Sequence, residues 1–471
     1  MPNDLRNRRS LKAVVIGDRA FYVMVLSILV PIIIQNAITN FVNLLDNVMV
    51  GQVGTEQMSG VSIVNQLMFV FNLCVFGGIS GAGIFSAQYY GANNQEGVCH
   101  CFRYKLYLSA VLIVAAAAIF LTRGEYLVGR FLHDEADPGR VAATLGYGMD
   151  YLRVMLWGML PFALTQSYAS TLRECGETRL PMTAGIVAVF VNLVFNYLLI
   201  FGHLGFPKLG VQGAAVATVL SRFVELAFVV IGTHAHTDRY PFARGAFSSP
   251  RVPGPLARRI TVKGMPLLVN EFLWSFGMTM LVQCYSVRGL DVVAAMNISS
   301  TVSNLFSVAI LSMGAATSII VGQSLGASDM VGAKDRAWKL VAFSLGLSAA
   351  TLVLMLVIAP LIPRVYQTSD AVRQLATRFL WIYAFCLPLV SFCNSAYFIL
   401  RSGGKTLITF LFDSGYTWAI SVPLALLMVN VLHADIVVTF AVVEAANLIK
   451  CIIGYFFVKS GRWIQNLTRV I

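Results

Sequence analysis

The stretch NFVNLLDNVMVGQVG, Asn40 to Gly54, carries one carboxylate, Asp46, inside the first long apolar segment of the chain. A charged side chain at the centre of a membrane helix costs about 2.5–3.5 kcal/mol on insertion scales, so such residues are rare and usually functional. Asp46 follows Pro31 by 15 residues, and a rise of about 1.5 Å per residue places it towards the outer end of a spanning helix. We therefore interpret Asp46 as a candidate functional residue, with a hydrated carboxylate at the membrane surface as the alternative.

The composition of the whole chain is that of a membrane protein. Of the 471 residues, 57% are hydrophobic and 12% are charged, about half of the roughly 25% charged residues in a soluble domain. Apolar runs of about 20 residues recur, each long enough to cross a bilayer as a helix. Twelve spans predict an all-α membrane protein. They are expected at 20–50, 58–82, 104–122, 150–170, 181–202, 211–232, 265–286, 292–321, 338–362, 376–398, 408–430 and 437–458.

The net charge of +12 follows the predicted topology. If the first span starts inside, 23 of the 34 basic residues lie on cytoplasmic segments and 8 on outer segments. This asymmetry is the positive-inside rule, so the basic charge indicates orientation and not a nucleic-acid partner. We expect both termini in the cytoplasm of a multi-pass plasma (inner) membrane protein, with an uncleaved N-terminal anchor. None of the eight cysteines falls in a predicted outer loop, so we expect free thiols.

A polar segment at 233–263 divides the chain into two halves. It holds four prolines and six basic residues between long apolar runs, a composition typical of a linker. We predict a six-helix bundle at 1–232, a cytoplasmic linker at 233–263 and a second six-helix bundle at 264–471.

The two halves repeat each other. Pro31 and Pro266 are 235 residues apart, and the same offset aligns SAQYYGANNQ, from Ser86, with VGQSLGASDM, from Val321. LRECGET at 172–178 matches LRSGGKT at 400–406, at an offset of 228. Six spans are an even number, so both halves have the same orientation and should be related by a pseudo-two-fold axis along the membrane normal.

Pro31 and Pro266 lie inside the first and seventh spans. Proline frees a backbone carbonyl and bends a membrane helix, which is tolerated where neighbouring groups satisfy that carbonyl. Interrupted helices at matching positions of two halves indicate a binding site or a moving part. We interpret both prolines as candidate conformational residues, with a simple packing kink as the alternative.

These motifs resemble the MATE family, the multidrug and toxic compound extrusion transporters. The similar stretches are VPIIIQ and MPLLVN at the starts of the halves, then LLDNVMVGQVG, SAQYYGA, LRECGETRLPM, VGQSLGA and LRSGGKT. The resemblance covers nearly the whole chain. It implies two six-helix bundles facing a central cavity, and export of small molecules driven by a proton or sodium gradient, with no other cofactor. We expect a monomer in the lipid bilayer.

The resemblance gives Asp46 a role, because relatives take up the coupling cation or proton on an aspartate of the first helix. Asn192 and Asn196 are spaced i, i+4 in FVNLVFNYLL and share one helix face. Their amides can face a neighbouring carboxylate, and Thr218 completes the candidate cluster. Asn196 stands where some family members carry aspartate, so one charge of that pattern is missing. The alternative is an interhelical hydrogen-bond pair, worth about 0.6 kcal/mol.

Glu271 follows Pro266 by five residues, in apolar sequence. It matches a glutamate that one branch of the family carries in its C-terminal half, which implies a second site for a proton or cation. That branch also carries an aspartate on helix 10, where this chain has only the amide of Asn394. A buried carboxyl group bound to backbone is the alternative for Glu271.

The remaining polar residues are interpreted as structural. Glu225 can pair with Arg222, Glu444 is expected to pair with Lys450 or to pack beside Asn447, and Asp413 is expected to be hydrated. Cys99-His100-Cys101 lacks the second ligand pair of a zinc site, so no metal is expected. No GxxxxGK[ST] motif supports ATP hydrolysis.

The sequence therefore predicts a cation-coupled secondary antiporter, and not an enzyme, that exports lipophilic or cationic small molecules by alternating access. The alternative is a flippase for a lipid-linked precursor, in the same wider superfamily. A flippase would need a basic cavity for pyrophosphate, and only Arg153, Arg222 and Lys450 lie within spans. A membrane enzyme would need clustered motifs such as HExxH, and a receptor would not need intramembrane carboxylates.

Overall fold

The computed structural model describes residues 16–132, 138–366 and 368–469. Within these ranges the chain is helical and contains no strand, which confirms the all-α prediction. Arg6, Arg8, Arg9 and Lys12, which support the predicted cytoplasmic N-terminus, lie outside the described residues. The long helices are α1 (Arg19–Gly51), α2 (Thr55–Gly91), α3 (Gln95–Gly129), α4 (Pro138–Glu174), α5 (Arg179–Phe201), α6 (Val211–Ala235), α7 (Gly254–Ser286), α8 (Leu290–Gly326), α9 (Met330–Ile358), α10 (Asp370–Ser402), α11 (Thr406–Val431) and α12 (Ile436–Ser460).

Eleven of these helices are long and apolar enough to cross a membrane, counted over the described residues. The other, α4, has 37 residues and is long enough to cross, but Arg140, Asp150 and Arg153 lower its apolar character. Several helices extend beyond the predicted spans. Helix α2 continues to Gly91 because its polar last turns pack inside the protein, where Gln88 is fully buried.

The repeat extends to the atomic detail of the turns. Asn94 caps α3 by accepting a hydrogen bond from Gly97 N at 2.8 Å, and Asp329 caps α9 by accepting one from Gly332 N at 2.8 Å. The preceding residues of the two turns both have positive φ, 56° at Asn93 and 61° at Ser328. Each pair is separated by 235 residues, so the sequence repeat encodes the same turn twice.

The second pair of repeated motifs also forms matching turns. Gly176 and Gly404 have φ of 83° and 72°, a left-handed conformation that glycine adopts without steric strain. The helices before these turns each contain a proline at a matching depth, Pro161 in α4 and Pro388 in α10. Prolines thus lie inside α1, α4, α7 and α10, and Pro423 lies inside α11.

The chain packs as two compact units. The first unit is Pro31–Phe272, and the second is Leu273–Ile471 together with the described residues before Pro31. The division falls inside α1 at Pro31 and inside α7 just beyond Glu271. The compact units are defined by packing, whereas the bundles at 1–232 and 264–471 are predicted from the sequence. The bounds of these bundles and the axis that relates them remain predictions.

The segment predicted as a linker is packed against the first unit. The guanidinium of Arg103, on α3, donates to Ala246 O at 2.9 Å and to Arg251 O at 3.1 Å. Phe242, in the helical turn Pro241–Arg244, is 1% exposed. Helix α7 begins at Gly254, so the last ten residues of the predicted linker are helical.

Glu177 of the LRECGET motif joins this segment to α5. Its carboxylate accepts hydrogen bonds from Arg179 N at 2.9 Å and from the Tyr240 hydroxyl at 3.1 Å, and lies 2.6 Å from Arg239 Nη2. Burial, followed by the charge of Glu177, raises the pKa of Tyr240 to about 12. Tyr240 therefore stays a neutral hydrogen-bond donor at physiological pH.

Candidate functional site

The structure brings Asp46 together with Asn192, Asn196 and Thr218. Asn196 Nδ2 donates to Asp46 Oδ1 at 2.5 Å and to Asn192 Oδ1 at 3.1 Å, and Asn192 Nδ2 lies 3.3 Å from Thr218 Oγ1. Asn192 and Asn196 are 4% and 1% exposed. The i, i+4 spacing on α5 places both amides on the face that meets α1 and α6. The predicted cluster is therefore a continuous hydrogen-bonded group in the first unit.

The amide of Asn192 fits this group in two orientations. In the first, its nitrogen donates to Thr218 and its oxygen faces Asp46. With the amide turned by 180°, its nitrogen lies 2.9 Å from Asp46 Oδ1 and 3.3 Å from Oδ2. The turned orientation gives the Asp46 carboxylate a donor from Asn192, so the hydrogen-bond partners of this amide decide which of its two ends faces Asp46.

Asn196 Oδ1 is buried and has no hydrogen-bond partner among the described residues. A buried acceptor without a donor costs about 1–3 kcal/mol. With Asp46, Asn192 and Thr218 it supplies carboxylate, amide and hydroxyl oxygens, the hard ligands that small alkali and alkaline-earth cations prefer. The donor set fits a small cation, and Asp46 alone fits a proton.

Three further side chains surround the cluster and were not predicted. The Tyr151 hydroxyl, on α4, donates to Asn65 Oδ1 at 3.2 Å and interacts with Asp46 and Thr218. Arg222, one turn after Thr218 on α6, is close enough to interact electrostatically with Asp46. No motif or repeat marks Asn65 or Tyr151, and only their polarity within membrane helices could have indicated them.

Arg222 links the cluster to an apolar cavity. Its guanidinium lies 3.6 Å from Glu225 Oε2, as predicted from their spacing, and 4.8 Å from the centre of the Phe162 ring. The cavity, of about 30 Å³, has room for about one water molecule. It is lined by Met68, Phe71, Asn72, Met155, Gly158, Met159, Phe162, Thr218 and Arg222.

Glu271 lies apart from this cluster. It packs on Gly77 of α2, where an added Cβ would lie 3.0 Å from Glu271 Cγ. Gly77 follows Asn65 by 12 residues on the same helix, which separates Glu271 from the Asp46 cluster by about 18 Å along the helix axis. Asn394, the remaining polar candidate on α10, donates to Ile310 O at 2.9 Å and belongs to the second unit.

Pro31 and Pro266 also lie away from Asp46. Pro31 is buried within α1 at the border between the units, and Pro266 lies in α7, six residues before Phe272. Both helices continue through their prolines. Each proline therefore lies at or within a few residues of the position where its helix passes from one compact unit to the other.

One structural interpretation of an acidic residue, that of Asp413, was wrong, and one of the two alternatives for Glu444 was confirmed. Lys450 Nζ donates to Asp413 Oδ1 at 2.7 Å, so Lys450 pairs with Asp413 and not with Glu444. Asp413 is 19% exposed and is an ion-pair partner, not a hydrated carboxylate. Glu444 accepts a long hydrogen bond of 3.4 Å from Asn447, as its packed alternative predicted. Lys450 pairs with Asp413 because Lys450, on α12, faces Asp413 on α11.

The fold and the buried oxygen cluster define a helical membrane protein of the transporter class. The MatE family model matches residues 31–198 and 266–427, which is more than half of the chain and covers both halves of the repeat. The chain belongs to the MATE family of multidrug efflux transporters. It is therefore a membrane transporter and not an enzyme.

Curated relatives match over almost their whole length. A "Probable multidrug resistance protein NorM" from Thermotoga maritima is 26% identical over 456 residues, which are 93% of each chain. A "Probable multidrug resistance protein YoeA" from Bacillus subtilis is 24% identical over 450 residues, 94% of each chain.

Solved structures share the fold. An outward-facing multidrug resistance MATE family transporter of the MOP superfamily superposes with a TM-score of 0.83 at 19% identity, over 96% of this chain and 99% of that one. A MOP superfamily transporter from Pyrococcus furiosus, described as having a binding pocket of reverse polarity, superposes with a TM-score of 0.81 at 18% identity, over 96% and 99%. These similarities support the fold of the whole described chain.

Proposed function

We propose that this chain is a secondary antiporter that exports lipophilic or cationic small molecules by alternating access, driven by inward flow of H⁺ or Na⁺. The observation that carries the proposal is the buried group of oxygens around Asp46, including the Asn196 oxygen that has no hydrogen-bond partner in the described part of the chain. No cofactor is needed beyond the coupling ion. The relatives named as multidrug resistance proteins support a small-molecule substrate.

Cation uptake at Asp46 would change the contact between α1 and α5. A proton or cation that binds Asp46 Oδ1 would occupy the oxygen that accepts from Asn196. Uptake therefore competes with the 2.5 Å hydrogen bond and neutralises a charge in a region of low dielectric constant. A competing positive partner would loosen α1 from α5, which is a physical link between occupancy and helix position.

The driving force is sufficient for export. One elementary charge crossing 100 mV contributes about 2.3 kcal/mol. Because each tenfold concentration ratio requires about 1.4 kcal/mol, this energy supports a ratio of roughly fifty-fold between the two sides of the membrane.

Ion pairing of the three basic residues within the predicted spans disfavours the flippase alternative. Arg153 lies 3.4 Å from Asp150, Arg222 lies 3.6 Å from Glu225 and Lys450 lies 2.7 Å from Asp413. Each cation is paired with a carboxylate, so none of the three is positioned as an uncompensated site for a pyrophosphate group.

We further propose that the protein acts as a monomer in the plasma (inner) membrane, with both termini in the cytoplasm. The bacterial relatives and the charge asymmetry of the loops support this placement.

The central test is Asp46→Asn in proteoliposomes. We expect loss of efflux of a fluorescent lipophilic cation under an imposed ion gradient, because the amide cannot gain or lose a unit charge. The matched control is Asp150→Asn, since the Asp150 side chain is 40% exposed and pairs only with its helix neighbour Arg153 among the described residues. Full efflux by Asp46→Asn would contradict the proposal.

The coupling ion is identified in the same vesicles. A pH gradient and a sodium gradient are imposed separately on the wild-type protein and on Asp46→Asn. Efflux that responds to one gradient and requires Asp46 assigns the ion, whereas efflux that responds to neither excludes cation coupling.

A further inference from the structure

Two cysteine side chains of the second unit meet between α10 and α12. The Sγ atoms of Cys393 and Cys451 lie 3.3 Å apart, which is closer than ordinary contact between two sulfur atoms. All eight cysteines of the chain are free thiols, and this is the one thiol–thiol contact among the described residues.

The surrounding backbone holds both thiols towards each other. Cys451 Sγ donates to Leu389 O at 3.3 Å, and Cys393 Sγ lies 3.9 Å from Asn447 O. Leu389 is one helical turn before Cys393, and Asn447 is one turn before Cys451. Each thiol therefore points across the interface between α10 and α12, towards the helical turn that comes just before the other cysteine.

The pair lies within the apolar part of both helices. Cys393 is nine residues before the end of α10 at Ser402, and Cys451 is nine residues before the end of α12 at Ser460. This is a depth of about 13 Å from each helix end. Only 11% of the most apolar stretch of α12 is buried inside the protein, so this helix faces lipid and a reagent dissolved in the bilayer can reach its surface.

We propose that Cys393 and Cys451 form an oxidisable dithiol, a modification site that a neutral, membrane-permeable two-electron oxidant converts to a disulfide joining α10 to α12. Two S–H bonds break and one S–S bond forms, and the oxidant, an azodicarboxamide or a quinone, takes up two electrons and two protons. A disulfide needs sulfur atoms about 2.05 Å apart, so the two side chains must approach by about 1.3 Å.

This proposal does not depend on cation coupling. Asp413 and Lys450 lie beside the pair and form their own ion pair, and the reaction balances without their protons. Oxidation would produce a second covalent form of the unit, with a loop closed between two cysteines that are 58 positions apart in the sequence.

The test uses the full-length protein in proteoliposomes treated with diamide, a membrane-permeable azodicarboxamide. After removal of the reagent, free thiols are blocked, and non-reduced peptides are mapped by mass spectrometry. We expect a Cys393–Cys451 cross-linked peptide, loss of two thiols from the eight of the chain and recovery of both with dithiothreitol.

Single variants identify the partners. Cys393→Ser and Cys451→Ser should each abolish the diamide-dependent loss of two thiols. Cys386→Ser, on α10 but without a thiol contact among the described residues, should still lose two thiols. Absence of the cross-linked peptide from the wild-type protein would overturn the proposal, as would pairing of either cysteine with a different one. The wild-type result is decisive even if a variant fails to fold.

Discussion

At the scale of single residues, the Asp46 cluster depends on Asn196. This side chain donates to both Asp46 and Asn192, and its oxygen has no partner among the described residues. An aspartate at this position would add a second carboxylate, whereas the amide supplies a donor for the Asp46 carboxylate and adds no charge. Under the proposed function, the N-terminal half therefore couples through one carboxylate and not two.

We expect Asn196→Ala to lower gradient-driven efflux about tenfold. A hydrogen bond to a charged group contributes about 1.5–3 kcal/mol, and the alanine also removes one candidate cation ligand. Efflux rates in proteoliposomes measure the effect, with Asn196→Asp as the variant that retains an oxygen and should keep transport. Asn40→Ala, at an exposed position of α1, is the control. Normal efflux by a folded Asn196→Ala protein would show that this amide takes no part in coupling.

At the scale of elements, glycine sets how closely α2 and α7 pack. A Cβ added to Gly81 would lie 2.4 Å from Gly264 Cα and 3.1 Å from Gly264 N. Backbone atoms cannot move aside as a flexible side chain can. The two helices therefore cross with main chain against main chain, as small residues allow in membrane interfaces. This crossing holds the N-terminal part of α7, including Pro266, in the first unit.

Gly81→Ala should destabilise the protein by about 1–3 kcal/mol, the usual range for overpacking. The melting temperature in detergent, followed by intrinsic fluorescence, should fall by several degrees. Gly346→Ala, in α9, is the matched control, because no atom lies within 4 Å of its added Cβ. Alanine favours a helix over glycine by about 1 kcal/mol, so this control should melt at an equal or higher temperature. An unchanged melting temperature for Gly81→Ala would exclude the close crossing.

At the scale of the whole molecule, the compact units do not follow chain order. Helices α1 and α7 each contribute to both units, and the division falls at Pro31 and just beyond Glu271. Both helices begin the repeated halves of the sequence. Pro31 and Pro266 lie in these two helices, and their conformational role remains a prediction.

The predicted orientation of the whole chain is tested by cysteine labelling in intact cells. Lys208→Cys, in the exposed loop between α5 and α6, should react with a membrane-impermeant maleimide. Ser248→Cys, between α6 and α7, should react only after the membrane is opened, because the basic segment 233–263 is placed inside. The wild-type protein is the background control. Labelling of Ser248→Cys in intact cells would contradict the predicted orientation and indicate the opposite one.

Much of the fold could be predicted from the sequence because the bilayer leaves few choices. Backbone groups in a membrane must be satisfied within a helix, so apolar runs of sufficient length define the helices. The repeated motifs fold into matched turns, in which Asn94 and Asp329 cap their helices in the same way. Helical spacing put the amides of Asn192 and Asn196 on one face, and the family resemblance implied that they meet Asp46, with Thr218 completing the cluster.

The tertiary structure decided which polar groups meet when they lie on different helices. Tyr151 joins the Asp46 cluster, Lys450 pairs with Asp413 instead of Glu444, and Cys393 faces Cys451. These contacts depend on the rotation of each helix about its axis and on which helix is its neighbour. Periodicity along one chain does not determine either of them. The sequence by itself therefore determined the helices, their repeat and the residues able to carry a coupling ion, whereas packing between helices decided the partners of those residues.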